Sequence, residues 1–193
     1  PPALDANLQV IPGTPTSFKH DTLWSYELGY KADLLDRRLS LEAAAYHIDW
    51  DNLQQPIVYG ASTLVGNAGR ATVDGLELAA RYKADAQWQF DGSLAYTDAK
   101  LSEDAPALGP AGSRLPNTAK LAVSLSARYG FELGGHPSYA SLGWRHVGQR
   151  NAGYEAPGSS LPNFSLPAYN LFDAQWGVEI GRWQLSTFVR NLT

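Results

Sequence analysis

The feature that most constrains this chain is a period of two in its apolar residues. From position 22 to 34, Trp24, Tyr26, Leu28, Tyr30, Ala32 and Leu34 alternate with Ser25, Glu27, Gly29, Lys31 and Asp33. One face is apolar and the other polar, which is the strand period. The pattern recurs through Leu76, Leu78, Ala80 and Tyr82, through Trp88, Phe90, Leu94 and Tyr96, and through Leu121, Val123, Leu125 and Tyr129. It returns at Ala140, Leu142 and Trp144, at Phe172, Trp176 and Val178, and at Trp183, Leu185 and Val189. One segment changes phase: Leu39, Leu41, Ala43 and Ala45 hold one face, then Tyr46, Ile48 and Trp50 hold the other. A bulge near Ala44 or a change of environment at the upper end of the strand produces such a shift. About eight antiparallel strands are expected, at 22–35, 38–51, 72–83, 86–98, 118–130, 138–149, 169–180 and 182–193. All 12 prolines fall outside those spans, as a residue without a ladder donor should.

Composition removes several function classes. With 15 Lys+Arg against 19 Asp+Glu the net charge is -4, against a basic nucleic-acid binder. The absence of Cys excludes a disulfide scaffold, a zinc ribbon and a thiol nucleophile. No apolar run of about 18 residues marks a membrane helix. The absence of Met, the opening Pro1-Pro2 and the close at Asn191-Leu192-Thr193 read as cuts through a longer protein.

The connections alternate in length. Short turns fall near Asp36-Arg37, Ala84-Asp85, 131–137 and Gly181, and long loops at 52–71, 99–117 and 150–168. Short turns on one rim and long loops on the other are the layout of an outer-membrane barrel. On the apolar face, Tyr82, Trp88, Tyr129, Trp176 and Trp183 lie near the short turns, and Trp24, Tyr26 and Tyr96 towards the long loops. Two aromatic belts around an aliphatic band are what a bilayer selects. The polar face, with Glu27, Lys31, Glu77, Arg81, Arg128, Arg145 and Arg190, then lines a lumen. A soluble binding barrel also alternates, with the polar face in solvent, but leaves the tryptophan belt unexplained.

The strand junctions resemble the C-terminal part of the barrel of TonB-dependent outer-membrane receptors. The residues that carry the resemblance are Thr22 to Gly29, Leu39 to Leu41 with Ala45 to Trp50, and Asn67-Ala68-Gly69 followed by Gly75-Leu76-Glu77-Leu78. Arg114-Leu115-Pro116-Asn117, Leu166 to Tyr169 and Phe188 to Thr193 complete the series. The resemblance implies an all-β fold: an antiparallel transmembrane β-barrel segment, about eight strands of a barrel of about 22. It implies that residues 1–193 are one partial barrel domain, with the plug, the TonB box and the final strand outside them. It further implies a bacterial outer-membrane receptor that imports a scarce small molecule, most often a ferric siderophore. The drive would come from a TonB–ExbB–ExbD complex acting through the N-terminal plug, with outer-membrane lipid around the barrel. The alternative is a passive eight-stranded barrel, a small pore or anchor, since about eight strands do close. A self-contained barrel of that kind should end on an aromatic residue.

Candidate chemistry is sparse. His47 and Asp49 share a strand face but lack a third convergent ligand, so rim hydrogen bonding is expected rather than a metal. Asp98, Glu103 and Asp104 read as a solvated loop, and no nucleophile elbow or phosphate loop is present. No enzyme, cofactor or resident metal is expected. For ligand binding the candidates are Tyr59, Arg70, Arg114, Arg145, Arg150 and Tyr154, polar or aromatic residues near the long-loop rim able to offer hydrogen bonds, charge and stacking. Glu77, Arg81 and Arg128 are expected to pair with each other or with the plug.

Overall fold

A computed structural model describes residues 9, 17–59, 62–106, 108–154 and 164–192. The side chains of 57–59, 62 and 63 lie outside the description. The strands are β1 (Thr22–Leu34), β2 (Leu39–Asp51), β3 (Gln54–Tyr59), β4 (Ser62–Asn67), β5 (Ala71–Lys83) and β6 (Trp88–Leu101). They continue with β7 (Leu121–Leu133), β8 (His136–Val147), β9 (Arg150–Asn151), β10 (Ser165–Leu166), β11 (Tyr169–Ile180) and β12 (Trp183–Val189). Eight of them form one antiparallel sheet in the order β1-β2-β5-β6-β7-β8-β11-β12. The other four are two small hairpins inserted into long loops. Among the described residues β1 and β12 do not pair with each other, so the sheet is an open wall.

Each short turn has a local cause. Gly134 and Gly135 both take positive φ, 59° and 79°, the primed geometry that matches strand twist. Leu35, Asp36 and Arg37 take φ of 54°, 53° and 65° at the first turn. Asp85 Oδ1 accepts from the backbone N–H groups of Gln87 and Trp88 at 2.8 and 2.7 Å, an Asx turn. Two prolines depart from the sequence expectation. Pro137 is the second residue of β8 and Pro56 lies within β3, which belongs to the separate hairpin. Both places tolerate a missing donor.

No bulge interrupts β2. Its register runs unbroken from Leu34↔Leu39 to Thr22↔Asp51 on one side and from Leu39↔Tyr82 to Trp50↔Ala71 on the other. The change of phase is a change of environment. Tyr46, Ile48 and Trp50 share the face of Glu27 and Glu77, while His47 and Asp49 share that of Tyr26 and Trp24.

Reading the register across strands resolves the outward face into rows. Leu28, Ala45, Leu76, Tyr96 and Leu121 form one row, and Gly148 continues it by donating its N–H to the Leu121 carbonyl. On β2 this row is the last apolar one before His47. On β8 the last apolar outward residue is Trp144, four positions below Gly148. The boundary keeps this row on β5 and β6, where Leu76 and Tyr96 are followed by Asp74 and Asp98, and lies about 13 Å lower on β8. The lower boundary slips likewise. Leu39 opens β2 and shares a row with Tyr82, Phe90, Ala127, Leu142 and Ala174, whereas β11 runs on to Ile180. That is about 20 Å over five steps, a slope of about 40°. The lower edge gives the tilt at which barrel strands stand, about 35–45°. When the strands tilt so, the apolar band lies flat, as a bilayer requires. Its residues are bare in the chain alone: Leu28 is 78% and Leu142 66% exposed.

Candidate functional site

The long loops fold onto the inner face at the upper rim. Leu53, Ala68, Ala71, Leu101, Ala105 and Leu108 form a buried cluster, with Trp50, Leu115 and Tyr154 packed against it. The sequence dictates where it forms. Trp50, Ala71 and Leu101 are inward-facing apolar residues at the tops of their strands, above the height where the lumen wall turns polar. Residues 113–115 run back along β6, with Leu101 N–H donating to Ser113 O at 2.8 Å and Leu115 N–H to Ala99 O at 3.0 Å. They occupy the edge of β6 that β7 leaves open, since β7 pairs only as far as Tyr96↔Leu121. Asn117 N–H donates to Asn151 O at 2.7 Å, tying the second loop to the third. Ser102 N–H donates to Arg70 O at 3.0 Å, tying it to the first.

Below this cluster the inner face is polar. Lys31 pairs with Glu42 at 3.3 Å and Arg81 with Asp91 at 2.6 Å. The Arg128 guanidinium lies 3.6 Å from the centroid of the Tyr139 ring. Glu77, Arg81 and Arg128 do not pair with each other: Arg81 takes Asp91 as its partner and Arg128 stacks on an aromatic ring. Glu27, Glu77 and Arg145 have no ion pair among the described residues. Arg145 lines two inner hollows, one with Glu27, Lys31 and Glu77 and one with Arg128, Asp173 and Gln175.

The six candidates fall into distinct places. Arg145 faces the lumen from mid-wall. Arg114 is half-buried beside β6 and donates from Nη2 to Thr118 O at 3.0 Å. Arg150 starts the small β9–β10 pairing, its guanidinium 5.7 Å from the Tyr169 ring centroid. Tyr154 is half-buried against the loop cluster, and burial pushes its phenol up to about 12, so it stays a neutral donor. The Tyr59 side chain lies outside the described residues. Arg70 does not join the inner set: it stands opposite Asp51 as an ion pair, its Nε 2.6 Å from Oδ1, in the outward row above Thr72 and Asp49.

His47 and Asp49 behave as rim hydrogen-bonding residues. His47 Nδ1 lies 2.7 Å from Asp74 Oδ1, and Nε2 lies 3.4 Å from Asp49 Oδ1. Among the described residues no group of three or more His, Asp or Glu is placed to hold a metal ion. Two tyrosines also emerge that composition did not single out. Tyr46 lies over Gly75 with its hydroxyl 3.2 Å from Thr97 Oγ1, and Tyr139 lies over Gly177, accepting from Gln175 Nε2 at 2.8 Å. Only the cross-strand register brings each ring to its glycine.

Comparison with known proteins agrees with this geometry. The probable TonB-dependent siderophore receptor PiuA of Acinetobacter baumannii is 27% identical over 114 residues, 54% of this chain and 15% of that protein. The metal-pseudopaline receptor CntO of Pseudomonas aeruginosa is 35% identical over 111 residues, 56% of this chain and 15% of its own length. The crystal structure of the ferric yersiniabactin uptake receptor FyuA from Yersinia pestis superposes with a TM-score of 0.74 at 19% identity, over 95% of this chain and 27% of that one. The chain thus spans under a third of each of these proteins. The family described as TonB dependent receptor-like, beta-barrel matches residues 2–192, and the chain belongs to that family of bacterial outer-membrane receptor barrels.

Proposed function

We propose that the whole protein imports a metal chelate, such as a ferric siderophore, across the outer membrane. Residues 1–193 supply a C-terminal part of its barrel wall. The drive comes from a TonB–ExbB–ExbD complex acting through a plug segment, and lipid surrounds the barrel. The observation that carries this is the inner wall: a polar surface capped by loops that share one core, with the Arg145 guanidinium free of any carboxylate among the described residues. An unpaired guanidinium facing a lumen suits an oxygen-rich anionic ligand. Arg114, Arg150 and Tyr154 would complete the site from the loops, and Tyr59 remains a candidate from the sequence alone, whereas Arg70 faces outward. PiuA, CntO and FyuA are named for siderophore or metal-chelate ligands, which supports the same class here. The passive eight-stranded barrel finds no support in a sheet whose first and last strands do not pair with each other among the described residues.

The test is uptake by cells carrying the full-length parent protein, with and without TonB, offered labelled ferric siderophores, haem, cobalamin and oligosaccharides. Transport that needs TonB is the expected result. Leakage indifferent to TonB overturns the proposal. Arg145→Ala should weaken ligand binding roughly tenfold, the value of one charge-assisted hydrogen bond.

A further inference from the structure

The charges of the inner wall are sorted between its two halves. The hollow that reaches from β1 carries Glu27, Glu42 and Glu77 against Lys31 and Arg145, and Lys31 is already paired with Glu42. The hollow between β6 and β12, of about 920 Å³, carries Arg128, Arg145 and Arg190 against Asp91 and Asp173. Asp91 is held by Arg81, and Asp173 Oδ1 accepts from the backbone N–H of Asn191 at 3.0 Å. None of those three arginines is ion-paired among the described residues. We infer that the second hollow is a station for an anionic metal chelate on its way down the lumen, entered after the loops release it, a site that presupposes the import proposed above.

The placement fits one ligand held at three points. On β8, Arg145 stands two residues above Gly143, and Arg128 lies lower, opposite Ser141 on β7. Arg190 follows Val189, whose partner is Ala174, and so stands level with Asp173 and Gly143. At about 3.3 Å per residue and about 4.8 Å per strand, the three Cα positions lie roughly 12 to 16 Å apart. Gly143 and Ser141 between them leave the floor open. Pockets for drug-sized ligands run to about 300–1,000 Å³, and the hollow falls within that range. Three planar forks facing one space suit a ligand whose carboxylate or catecholate oxygens are spread around a metal.

The partners these arginines do have suit a site that must let go. Arg128 lies 3.6 Å from the Tyr139 ring centroid, and Arg190 lies 4.7 Å from that of Phe188. A ring face holds a cation without using its N–H donors, so the forks stay open to a ligand. Arg190 rests on Phe188 even though Asp173 stands level with it on the next strand. Arg145 borders both hollows, so it can keep one contact while the chelate gains the next. Glu27 and Glu77, which have no ion pair among the described residues, repel an anion from the other half of the wall and turn it towards β7–β12.

The test uses cells carrying the full-length protein, with labelled ferric citrate and a labelled ferric tris-catecholate as probes. Surface binding is measured without TonB, and uptake rate with it. Losing a stepping contact slows passage rather than capture. Arg128→Gln and Arg190→Gln should each lower the maximal uptake rate roughly tenfold, with surface binding at the parent's level. Arg128→Lys and Arg190→Lys keep the charge and should restore most of the rate. Arg37→Gln, at the first short turn, should match the parent. Heat-modifiable migration on gels checks that each variant is folded. Parent-like uptake by both Gln variants overturns the station and leaves the import proposal standing. A fall in uptake accompanied by leakage of vancomycin also overturns it, since the arginines would then be holding the plug in place. Parent cells that import neither probe refute the import of anionic chelates, and the station falls with it.

Discussion

Glycine sites on the inner wall show how much one missing side chain can hold. A Cβ on Gly177 would collide with the ring of Tyr139, which also stacks with Arg128. Gly177→Ala should therefore displace Tyr139, breaking its bond to Gln175 and its contact with Arg128. A loss of about 1–3 kcal/mol is expected, typical of overpacking, measured as a lower urea midpoint of the full-length barrel in liposomes. Gly143→Ala, whose added Cβ would meet only Asp173 Cβ at ordinary distance, is the matched control. Tyr154 makes a second prediction. Its phenol titrates near 12 when docked against 10.0 when free, so the neutral form favours docking. That contribution is whole below pH 10 and fades as pH rises from 10 towards 12. Protease sensitivity of the loops should rise across that window, and Tyr154→Phe should remove the dependence.

At the scale of the strand, period two carried most of the information, because the two faces meet different solvents. The eight wall strands were legible wherever a clean apolar face persisted, with ends displaced by at most a few residues. The β3–β4 hairpin was not. Pro56 argued against a strand there, and the Gln54-Gln55 pair gives no apolar face. It forms because Gln54 and Asn67 anchor it beneath, the Asn67 side-chain amide donating to Asn52 O at 2.8 Å. Arg70's side of the wall was hidden for a related reason. Its loop position suggested a ligand contact, but the sheet register continues one residue past β5, and parity then turns Arg70 outward. The pairings Tyr46 with Gly75 and Tyr139 with Gly177 depend on register between strands, which no single segment encodes. A prediction belongs to the second-to-last turn. Gly134 and Gly135 both sit at positive φ, so replacing Gly135 by Val should cost about 1–3 kcal/mol and slow assembly of the β7–β8 hairpin, read by folding kinetics into vesicles.

The molecule as a whole is a tilted wall with a level apolar stripe. Leu142 lies near the middle of that stripe on β8, and His146 above its upper edge. Leu142→Arg should destabilise the full-length barrel by about 2–4 kcal/mol, whereas His146→Arg should be nearly neutral. Urea titration in liposomes reads both, and equal costs would refute the placement of the band. The boundary could have been drawn from sequence only after the register was known, because on β2 it follows Ala45 and on β8 it follows Trp144, residues of unequal distance from their turns.

The three long loops share one core, and that has a consequence for how such a receptor changes its preferences. Leu53 comes from the first loop, Leu108 from the second and Tyr154 from the third, and each is packed on the same cluster. A loop transplanted alone from another receptor arrives without its counterparts and leaves a hole in the shared interior. Diversification would proceed in concert, with the three segments exchanged as a cassette. An antibody or phage that grips one of them would hold all three.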